Sequence, residues 1–178
     1  QLSRELNYYD QLCKEANVNL IIYSYGRNES GFLIHHPEFE VLSMPNWIPE
    51  KIPFRLQNLI YNISSLFYHR KYFRKTDLSK TNQFSAAKFG LLLKVLFRIP
   101  LVIRMGFYYS HFKKLSISGR LEEWLAFRIC DQIITTSPEA ANFISRSYKV
   151  KPKKMLSMLN SIDLSKFKRL DTAKEYDL

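Results

Sequence analysis

Short apolar runs that suit buried strands alternate with longer segments that suit helices, and this alternation constrains the fold more than any other feature. The clearest unit is "CDQIITTSPEAANFISRSY", in which Ile133 and Ile134 form the centre of a run too short for a helix. Ser137 then fits an N-cap, Pro138 the first helical position, and Glu139 the positive end of the helix dipole. The unit predicts a buried strand, a tight turn and a helix.

The same alternation runs through most of the chain. Further strands are predicted at residues 18–24, 39–45, 77–84, 99–106 and 155–160. Helices are predicted at residues 1–16, 56–67, 86–97 and 118–129. Strands that alternate with helices predict a parallel, doubly wound α/β sheet with helices on both faces. Because such a domain normally starts with its central strand, we expect this one to lack its first strand.

Two of the predicted helices carry an apolar stripe at helical spacing, the pattern of an amphipathic helix. One stripe consists of Leu56, Leu59, Ile60, Ile63 and Phe67. The other consists of Leu121, Trp124, Leu125 and Ile129. The helix at 86–97, "AAKFGLLLKVLF", is apolar on most sides and is expected to be largely buried.

Length and composition predict one globular domain. A chain of 178 residues can bury one core well, and 46% apolar residues exclude a disordered chain. Cys13 and Cys130 lie far apart, which argues against a disulfide scaffold and favours a reducing compartment. The glycosylation sequons at Asn28 and Asn62 are interpreted as chance matches, because the second falls inside a predicted helix.

The charge predicts a polyanionic partner without choosing one. Lysine and arginine total 27 against 16 aspartate and glutamate, which leaves a net charge of +11. This excess favours nucleic acid, anionic lipid headgroups or phosphorylated substrates. The basic residues gather at 68–75, 111–114 and 149–154, as either a docking face or ordinary solvated helix ends. No apolar run reaches the ~18 residues that span a bilayer, so we expect a soluble or peripheral protein.

Common catalytic and cofactor motifs are absent from the sequence. The five glycines form neither a Walker loop nor a dinucleotide fingerprint, and no serine lies in a nucleophile elbow. His35 and His36 are adjacent and have no cysteine or carboxylate at ligand spacing, which argues against a metal site. We therefore expect no metal and no cofactor.

Polar residues end several of the predicted strands. They are Asn82 and Gln83, Arg104 followed by Gly106, Ser137, and Asn160 with Asp163. Because ligands bind at the carboxyl ends of parallel strands, these residues predict a polar cleft, although each alone fits an ordinary structural role. Arg104 is costly to bury alone, so it is expected to meet a carboxylate or an anionic ligand. Gly106 would let the backbone turn sharply beside it.

Two segments carry a resemblance to a known family. "LEEWLAFRICDQIITTSPEAANFISRSYKVKPKKMLSMLNSIDLSKFKRL" resembles the latter part of the amino-terminal domain of family 4 glycosyltransferases, with a helix, a strand, a helix and a strand ending in N-x-x-D-x-x-x-F. "KTNQFSAAKFGLLLKVLFRIPLVIRMGFYYS" resembles the strand, helix, strand and loop before it. Order and spacing are kept over about residues 75–170. Ser161 departs from the family pattern, which has glycine there.

The resemblance implies one half of the two-domain GT-B fold, with residues 1–170 as the acceptor-side domain and 171–178 as the start of a linker. The family's donor-binding glutamates belong to the other domain, so no catalytic residue is assigned. The family's histidine after the fifth strand is not evident, and Arg104 and Tyr108 occupy that region. The substrate-binding residues implied are Asn82, Gln83, Arg104, Gly106, Tyr108, Ser137, Glu139 and Asn160.

The function expected from the resemblance is retaining sugar transfer in bacterial cell-surface polysaccharide biosynthesis. A nucleotide-sugar donor, a glycan or lipid-linked acceptor and an anionic membrane surface are the expected partners, and nucleic acid is not. The full-length protein would be the enzyme, of hexosyltransferase type, located in the cytoplasm and peripherally on the inner face of the plasma membrane. Two alternatives stay open: a basic α/β nucleic-acid-binding module, and a Rossmann-like domain kept for subunit assembly.

Overall fold

A computed structural model describes residues 2–27, 29, 39–106 and 116–159, with the side chains of the first helix described from residue 9 onward. The chain divides into two compact units, residues 1–72 and residues 73–178. Each unit is built around parallel strands flanked by helices. No helix in these described ranges is long and apolar enough to cross a membrane.

The described elements follow the predicted order. The helices are α1 (Leu2–Ala16), α2 (Phe54–Tyr68), α3 (Arg70–Phe73), α4 (Ala87–Phe97), α5 (Ile117–Ile129) and α6 (Pro138–Tyr148). The strands are β1 (Ile21–Tyr23), β2 (Glu40–Leu42), β3 (Ser79–Thr81), β4 (Leu101–Met105), β5 (Gln132–Thr135) and β6 (Met155–Ser157). Each predicted strand and helix is present, the strands are shorter than predicted, and the short helix α3 was not predicted.

In the first unit, α2 packs on a two-stranded parallel sheet through polar and aromatic side chains. β1 and β2 pair with Tyr23 opposite Leu42, and the hydroxyl of Tyr61 on α2 donates to the Leu42 carbonyl over 2.8 Å. Tyr61 also stacks on Tyr23, with ring centroids 4.7 Å apart. Burial raises the pKa of both phenols well above the usual value, so both stay protonated donors.

Asn62 of α2 is buried in this tyrosine cluster. Its Oδ1 accepts hydrogen bonds from Tyr23 over 3.1 Å and from Tyr25 over 3.0 Å. A glycan cannot be attached to an amide that is enclosed in this way, so the sequon at Asn62 is a chance match in the folded protein. Asn28, the other sequon residue, lies outside the described residues.

A second set of hydrogen bonds fixes the amino-terminal half of α2. The guanidinium of Arg27 donates to the carbonyls of Pro45 and Ile48 over 3.2 and 2.7 Å, and to Gln57 Oε1 over 3.0 Å. Gln57 in turn donates to the carbonyl of Ile52 over 2.8 Å. The loop before α2 is therefore tied to the helix by hydrogen bonds whose polar partners are all satisfied.

α2 turns its apolar stripe away from this packing. The buried residues of the helix are Gln57, Tyr61, Asn62 and Ser65. Of the predicted stripe, Ile60 packs against the core, whereas Leu56, Leu59, Ile63 and Phe67 are exposed on the opposite side. The helix prediction is confirmed, but the usual rule that the apolar stripe faces the core does not hold in the described part of this unit. The physical reason is that the tyrosines and Arg27 supply hydrogen bonds to the buried side chains of Asn62 and Gln57.

The second unit contains a four-stranded parallel sheet in the order β3-β4-β5-β6. Its core lies on the inward-facing residues of the central strands, Leu101, Ile103, Met105 and Ile133. The helices add Ala87, Ala126, Phe127, Ile144 and Tyr148 to this core. A Cβ at Gly90 would lie 2.6 Å from Leu101 Cδ1, so the missing side chain lets α4 approach β4 closely.

α4 and α5 also expose part of their apolar surface. α4 buries Ala87, Phe89, Gly90 and Leu93, but Leu92, Val95 and Leu96 are exposed, so the prediction of a largely buried helix is wrong on that side. On α5 the residues Leu121, Trp124 and Leu125 share one face, as predicted, and that face is exposed. Glu123 is buried instead, because its carboxylate accepts the hydrogen bond of the buried Tyr148 hydroxyl.

Ion pairs and hydrogen bonds close the amino-terminal edge of this sheet. Asp131 Oδ2 accepts from Lys94 Nζ over 2.5 Å and from Leu101 N over 2.7 Å, while Asp131 N donates to the Leu101 carbonyl over 2.9 Å. Lys154 Nζ donates to the carbonyls of Arg128 and Cys130 over 2.8 and 2.7 Å. Burial raises the pKa of the Cys130 thiol to about 11, so it is a protonated core residue at neutral pH.

The carboxyl group of Asp131 should make the stability of the folded protein depend on pH in the acid range. Partial burial acts to raise its pKa, but the hydrogen bonds from Lys94 and Leu101 N outweigh this and hold the pKa below its usual value. A depressed folded pKa adds stability above the unfolded pKa and loses it as pH falls through the folded pKa, here below about pH 4. We expect Asp131→Asn to lower the melting temperature at neutral pH and to flatten its fall in acid.

The measurement is a series of thermal melts between neutral pH and about pH 3. Asp77→Asn, at an exposed carboxylate before β3, is the matched control for the loss of one negative charge. Because Asp131 is half-exposed, we expect a loss of less than about 1 kcal/mol at neutral pH. A variant with the same acid profile as the parent protein would contradict the assignment.

Candidate functional site

The four strands of the second unit bring their carboxyl ends to one edge of the sheet. Thr81 lies opposite Ile103, Met105 opposite Thr135, and Thr135 opposite Ser157. β4 therefore extends two residues beyond the end of β3 and ends level with β5 and β6. The residues that follow these strands share this edge, which we call the carboxyl edge.

Hydrogen bonds join three hydroxyl residues at the ends of β5 and β6. Thr135 Oγ1 donates to the Ser137 carbonyl over 3.1 Å and lies 3.1 Å from Ser157 Oγ. Ser157 Oγ also reaches the Ser137 carbonyl over 3.4 Å. Thr135 is fully buried, so its hydroxyl serves the fold at this edge. Sequence reasoning missed Thr135 and Ser157, although the strand alternation places Thr135 on the same buried face as Ile133.

Ser137 caps α6 as the sequence predicts. Its Oγ accepts from Ala140 N over 3.2 Å, and Pro138 occupies the first turn. The hydrogen bonds from the backbone N–H of Glu139 and from the Ser137 side chain hold the pKa of Glu139 below its usual range. The carboxylate of Glu139 thus takes up part of the positive potential at this helix end. Both side chains have structural roles here, and their substrate contacts stay predictions.

Arg104 is the next-to-last residue of β4. Its backbone N–H donates to Thr81 Oγ1 over 3.2 Å, which ties β4 to the end of β3. In the strand, Leu101, Ile103 and Met105 point into the core, while Val102 and Arg104 lie on the half-buried face. The predicted position at the carboxyl end of this strand is therefore confirmed, and a ligand role stays a prediction.

Asn82 and Gln83 are exposed directly after β3. Asn82 Oδ1 accepts a hydrogen bond from Lys80 Nζ over 3.0 Å. Gln83 precedes the short 3-10 turn Phe84–Ala86 in an extended conformation, and its side chain does not cap that turn. Both amides lie at the surface of the carboxyl edge.

Gly106 directly follows β4, where the sequence suggested a sharp turn. Its φ is not in the left-handed region, and a Cβ added to it would meet no atom of the described residues within 4 Å. The backbone conformation at this position therefore does not require glycine. The predicted residues Tyr108 and Asn160, together with Ser161 and Asp163, lie outside the described residues.

The carboxyl edge offers hydrogen-bonding groups rather than a catalytic set. Its described groups are one guanidinium, two amides, hydroxyls and the carboxylate of Glu139. Such groups can bind hydroxyl-rich or anionic ligands. Within the ranges that the structure describes, no group of three histidine, cysteine, aspartate or glutamate residues is placed to hold a metal ion.

Comparisons with known proteins find solved structures with a similar fold. No family model and no curated protein matches the sequence. HepE from Anabaena in complex with UDP and glucose matches with a TM-score of 0.60 at 16% identity, over 90% of this chain and 42% of that one. Its complexes with UDP and with UDP-glucose match with TM-scores of 0.55 at 16% identity, covering 90% and 88% of this chain and 41% and 40% of theirs.

The likeness confirms the predicted fold class. The chain spans less than half the length of these structures. Parallel strands flanked by helices form the Rossmann-like α/β fold that the sequence predicts.

Thr135 and Gly106 should differ sharply in their effect on stability. Thr135→Val removes the hydrogen bonds that a fully buried hydroxyl makes to the Ser137 carbonyl and Ser157 Oγ, so we expect a loss of roughly 0.5–1.5 kcal/mol of unfolding free energy. Gly106→Ala should change it by less than about 0.5 kcal/mol, because the added Cβ meets none of the residues that the structure describes. Urea unfolding of the two variants checks both values. A Gly106→Ala variant that loses as much as Thr135→Val would contradict the prediction for Gly106.

Proposed function

We propose that this chain is the acceptor-side half of a retaining glycosyltransferase of the GT-B type. The full-length enzyme would be of hexosyltransferase type and move a sugar from a nucleotide-sugar donor to a glycan or lipid-linked acceptor in bacterial cell-surface polysaccharide biosynthesis. The observation that carries the proposal is the shared fold, over 90% of this chain, with a protein that binds UDP-glucose. A nucleotide sugar such as UDP-glucose is an activated glycosyl donor.

The contrast between the two edges of the second unit's sheet supports this location for substrate binding. At the amino-terminal edge, Asp131, Lys94 and Lys154 pair with each other or with backbone groups. At the carboxyl edge, Asn82 and Gln83 are exposed, and no described residue comes within 4 Å of a Cβ added to Gly106. Open α/β sheets bind ligands at the carboxyl ends of their strands. We therefore assign the acceptor or the sugar to the carboxyl edge.

The division of labour follows the family resemblance. The donor-binding glutamates of family 4 enzymes belong to the carboxyl-terminal domain, so the nucleotide would be bound mainly by that second domain. The present chain would supply acceptor contacts, with Arg104 and Tyr108 in the region where the family has a histidine. We assign no catalytic residue to it.

The net charge of +11 supports a location at the inner face of the plasma membrane. Anionic headgroups attract basic segments with about 1 kcal/mol per lysine or arginine near the surface. A lipid-linked acceptor would be presented at that surface. The same charge favours a second candidate, a nucleic-acid-binding module, which predicts steeply salt-dependent binding to arbitrary duplex DNA.

Arg104→Lys tests the role of the carboxyl edge in the full-length enzyme. Lysine keeps the charge but loses the planar fork of donors, and a hydrogen bond to a charged group is worth roughly 1.5–3 kcal/mol. We expect transfer from UDP-glucose or another nucleotide sugar to fall by about tenfold or more. The melting temperature should stay within about 2 °C. Arg120→Lys, at an exposed residue of α5, is the matched control.

Two outcomes would move Arg104 to a structural role. One is a clearly lower melting temperature with normal turnover per folded molecule, since the guanidinium would then hold the fold rather than a ligand. The other is an equal loss of transfer in Arg120→Lys, since the effect would then not be specific to the carboxyl edge.

The chain by itself should be inactive. If the donor site lies mainly in a second domain, the 178-residue chain should neither hydrolyse nor transfer any nucleotide sugar. The measurement is release of UDP from UDP-glucose over hours, with the full-length enzyme as the positive control. Measurable turnover by the chain would contradict the division into acceptor and donor halves. Tight, salt-sensitive binding to duplex DNA, without any transfer by the full-length protein, would favour the nucleic-acid candidate.

A further inference from the structure

The outer face of α2, formed by Leu56, Leu59, Ile63 and Phe67, is a continuous apolar stripe on the surface of the first unit. The exposed fractions of Leu59, Ile63 and Phe67 are 52%, 48% and 74%. Single exposed apolar residues are common on protein surfaces, whereas a contiguous stripe marks a contact surface. Four large side chains over three helical turns form such a stripe.

Among the described residues of the first unit, the packing of α2 does not use this outer face. The opposite side of α2 carries the hydrogen bonds to the tyrosine cluster and to Arg27. Those hydrogen bonds are directional and fix the rotation of the helix about its own axis. The outer face is therefore available to a partner at no cost to the fold.

The charge around the outer face has one sign. From residue 51 to residue 72, the end of the first unit, the sequence contains no aspartate or glutamate. Over the same range it contains four exposed basic residues: Lys51, Arg55, Arg70 and Lys71. The neighbouring carboxylates are engaged elsewhere, Glu50 with Arg27 and Glu40 with Tyr72 and His69. An apolar stripe within a purely basic segment fits a partner that is both apolar and anionic.

Aromatic side chains border the same helix. Trp47 and Tyr68 are exposed to 54% and 73%, with ring centroids 6.4 Å apart. Lys71 Nζ lies 5.3 Å from the centroid of the Tyr72 ring. Tryptophan and tyrosine favour the boundary between headgroups and acyl chains, because one end of each ring system is apolar and the other is polar.

We propose that the outer face of α2 and the basic residues beside it form a docking surface for an anionic lipid membrane. The helix, of 15 residues, would lie in the plane of the interface with its apolar stripe among the acyl chains. This inference rests on the proposed membrane location of the enzyme and deepens it by naming the surface. A second copy of the chain is a poorer occupant, because two such faces would bring like charges together.

The exposed apolar residues of α4 and α5 provide a contrast. They lie near the ion pair of Lys88 with Glu122, so the charge there is mixed. Val95 and Leu96 of α4 are as exposed as the residues of the outer face. Substitutions at these two positions therefore form a matched control for the loss of apolar surface alone.

Vesicle co-sedimentation of the 178-residue chain tests the surface. The combined variant Leu59→Gln, Ile63→Gln, Phe67→Gln should fold, since all three side chains are exposed, and should lower partitioning into phosphatidylglycerol–phosphatidylcholine vesicles at least about tenfold. Arg70→Gln with Lys71→Gln should lower it about fivefold for each residue removed. Val95→Gln with Leu96→Gln should leave it unchanged. Vesicles of phosphatidylcholine alone should bind the parent chain weakly.

The two tryptophans report the orientation independently. Trp124→Phe leaves Trp47 as the single tryptophan, and Trp47→Phe leaves Trp124 on α5. On anionic vesicles the emission of Trp47 should shift to the blue and be quenched by brominated lipid, whereas that of Trp124 should not. The reverse result would overturn the proposal in favour of the α5 side.

The outcomes separate this inference from the proposals on which it rests. Equal binding of the outer-face variant and the parent chain overturns the α2 surface and leaves the membrane location standing. Equal binding to anionic and neutral vesicles overturns both. A change of oligomeric state in the outer-face variant with unchanged vesicle binding assigns the face to self-association instead. Sugar transfer by the full-length enzyme is measured separately and does not decide any of these results.

Discussion

The register between β4 and β5 is the constraint on which the rest of the second unit depends. Asp131 and Leu101 exchange two hydrogen bonds at the start of these strands, one through a carboxylate that Lys94 also holds. Because a slip of one residue turns every side chain to the other face of a sheet, this contact places Ile103 and Ile133 in the core. It also brings Met105 and Thr135 level at the opposite end, where the candidate site lies.

The two ends of that sheet are consequently specialised. At the amino-terminal edge the charged side chains pair with each other or with backbone groups. Few polar groups therefore remain there to bind a ligand. At the carboxyl edge, buried hydroxyls such as Thr135 hold the strand ends together, while Arg104 and the amides after β3 lie nearer the surface. The proposed substrate contacts therefore stand on a scaffold that is already fixed before any ligand arrives, which is what an acceptor site requires.

Local sequence patterns predicted the helices and strands. Contacts between residues far apart in sequence determined which face of each helix is buried, and local patterns could not predict this. The cap at Ser137 and the order of strands and helices follow from residues close in sequence, and the resemblance predicted the fold class that the comparison confirms. Periodicity locates an apolar stripe but does not say whether a polar face will be buried instead. That outcome for α2 depends on Tyr23 and Tyr25, about 40 residues away, and for Glu123 it depends on Tyr148. Tyr108 and Asn160 stay predictions.

The polar attachment of α2 also has a mechanical consequence. A helix that packs through aliphatic side chains can roll by small rotations, because dispersion contacts have little directional preference. Hydrogen bonds from Tyr23 and Arg27 to Asn62 and Gln57 lose strength steeply with angle, and a broken one would leave a buried polar atom unsatisfied. α2 is therefore expected to resist rotation about its own axis. A force applied to its exposed side would be transmitted to β1 and β2 without changing which residues face outward.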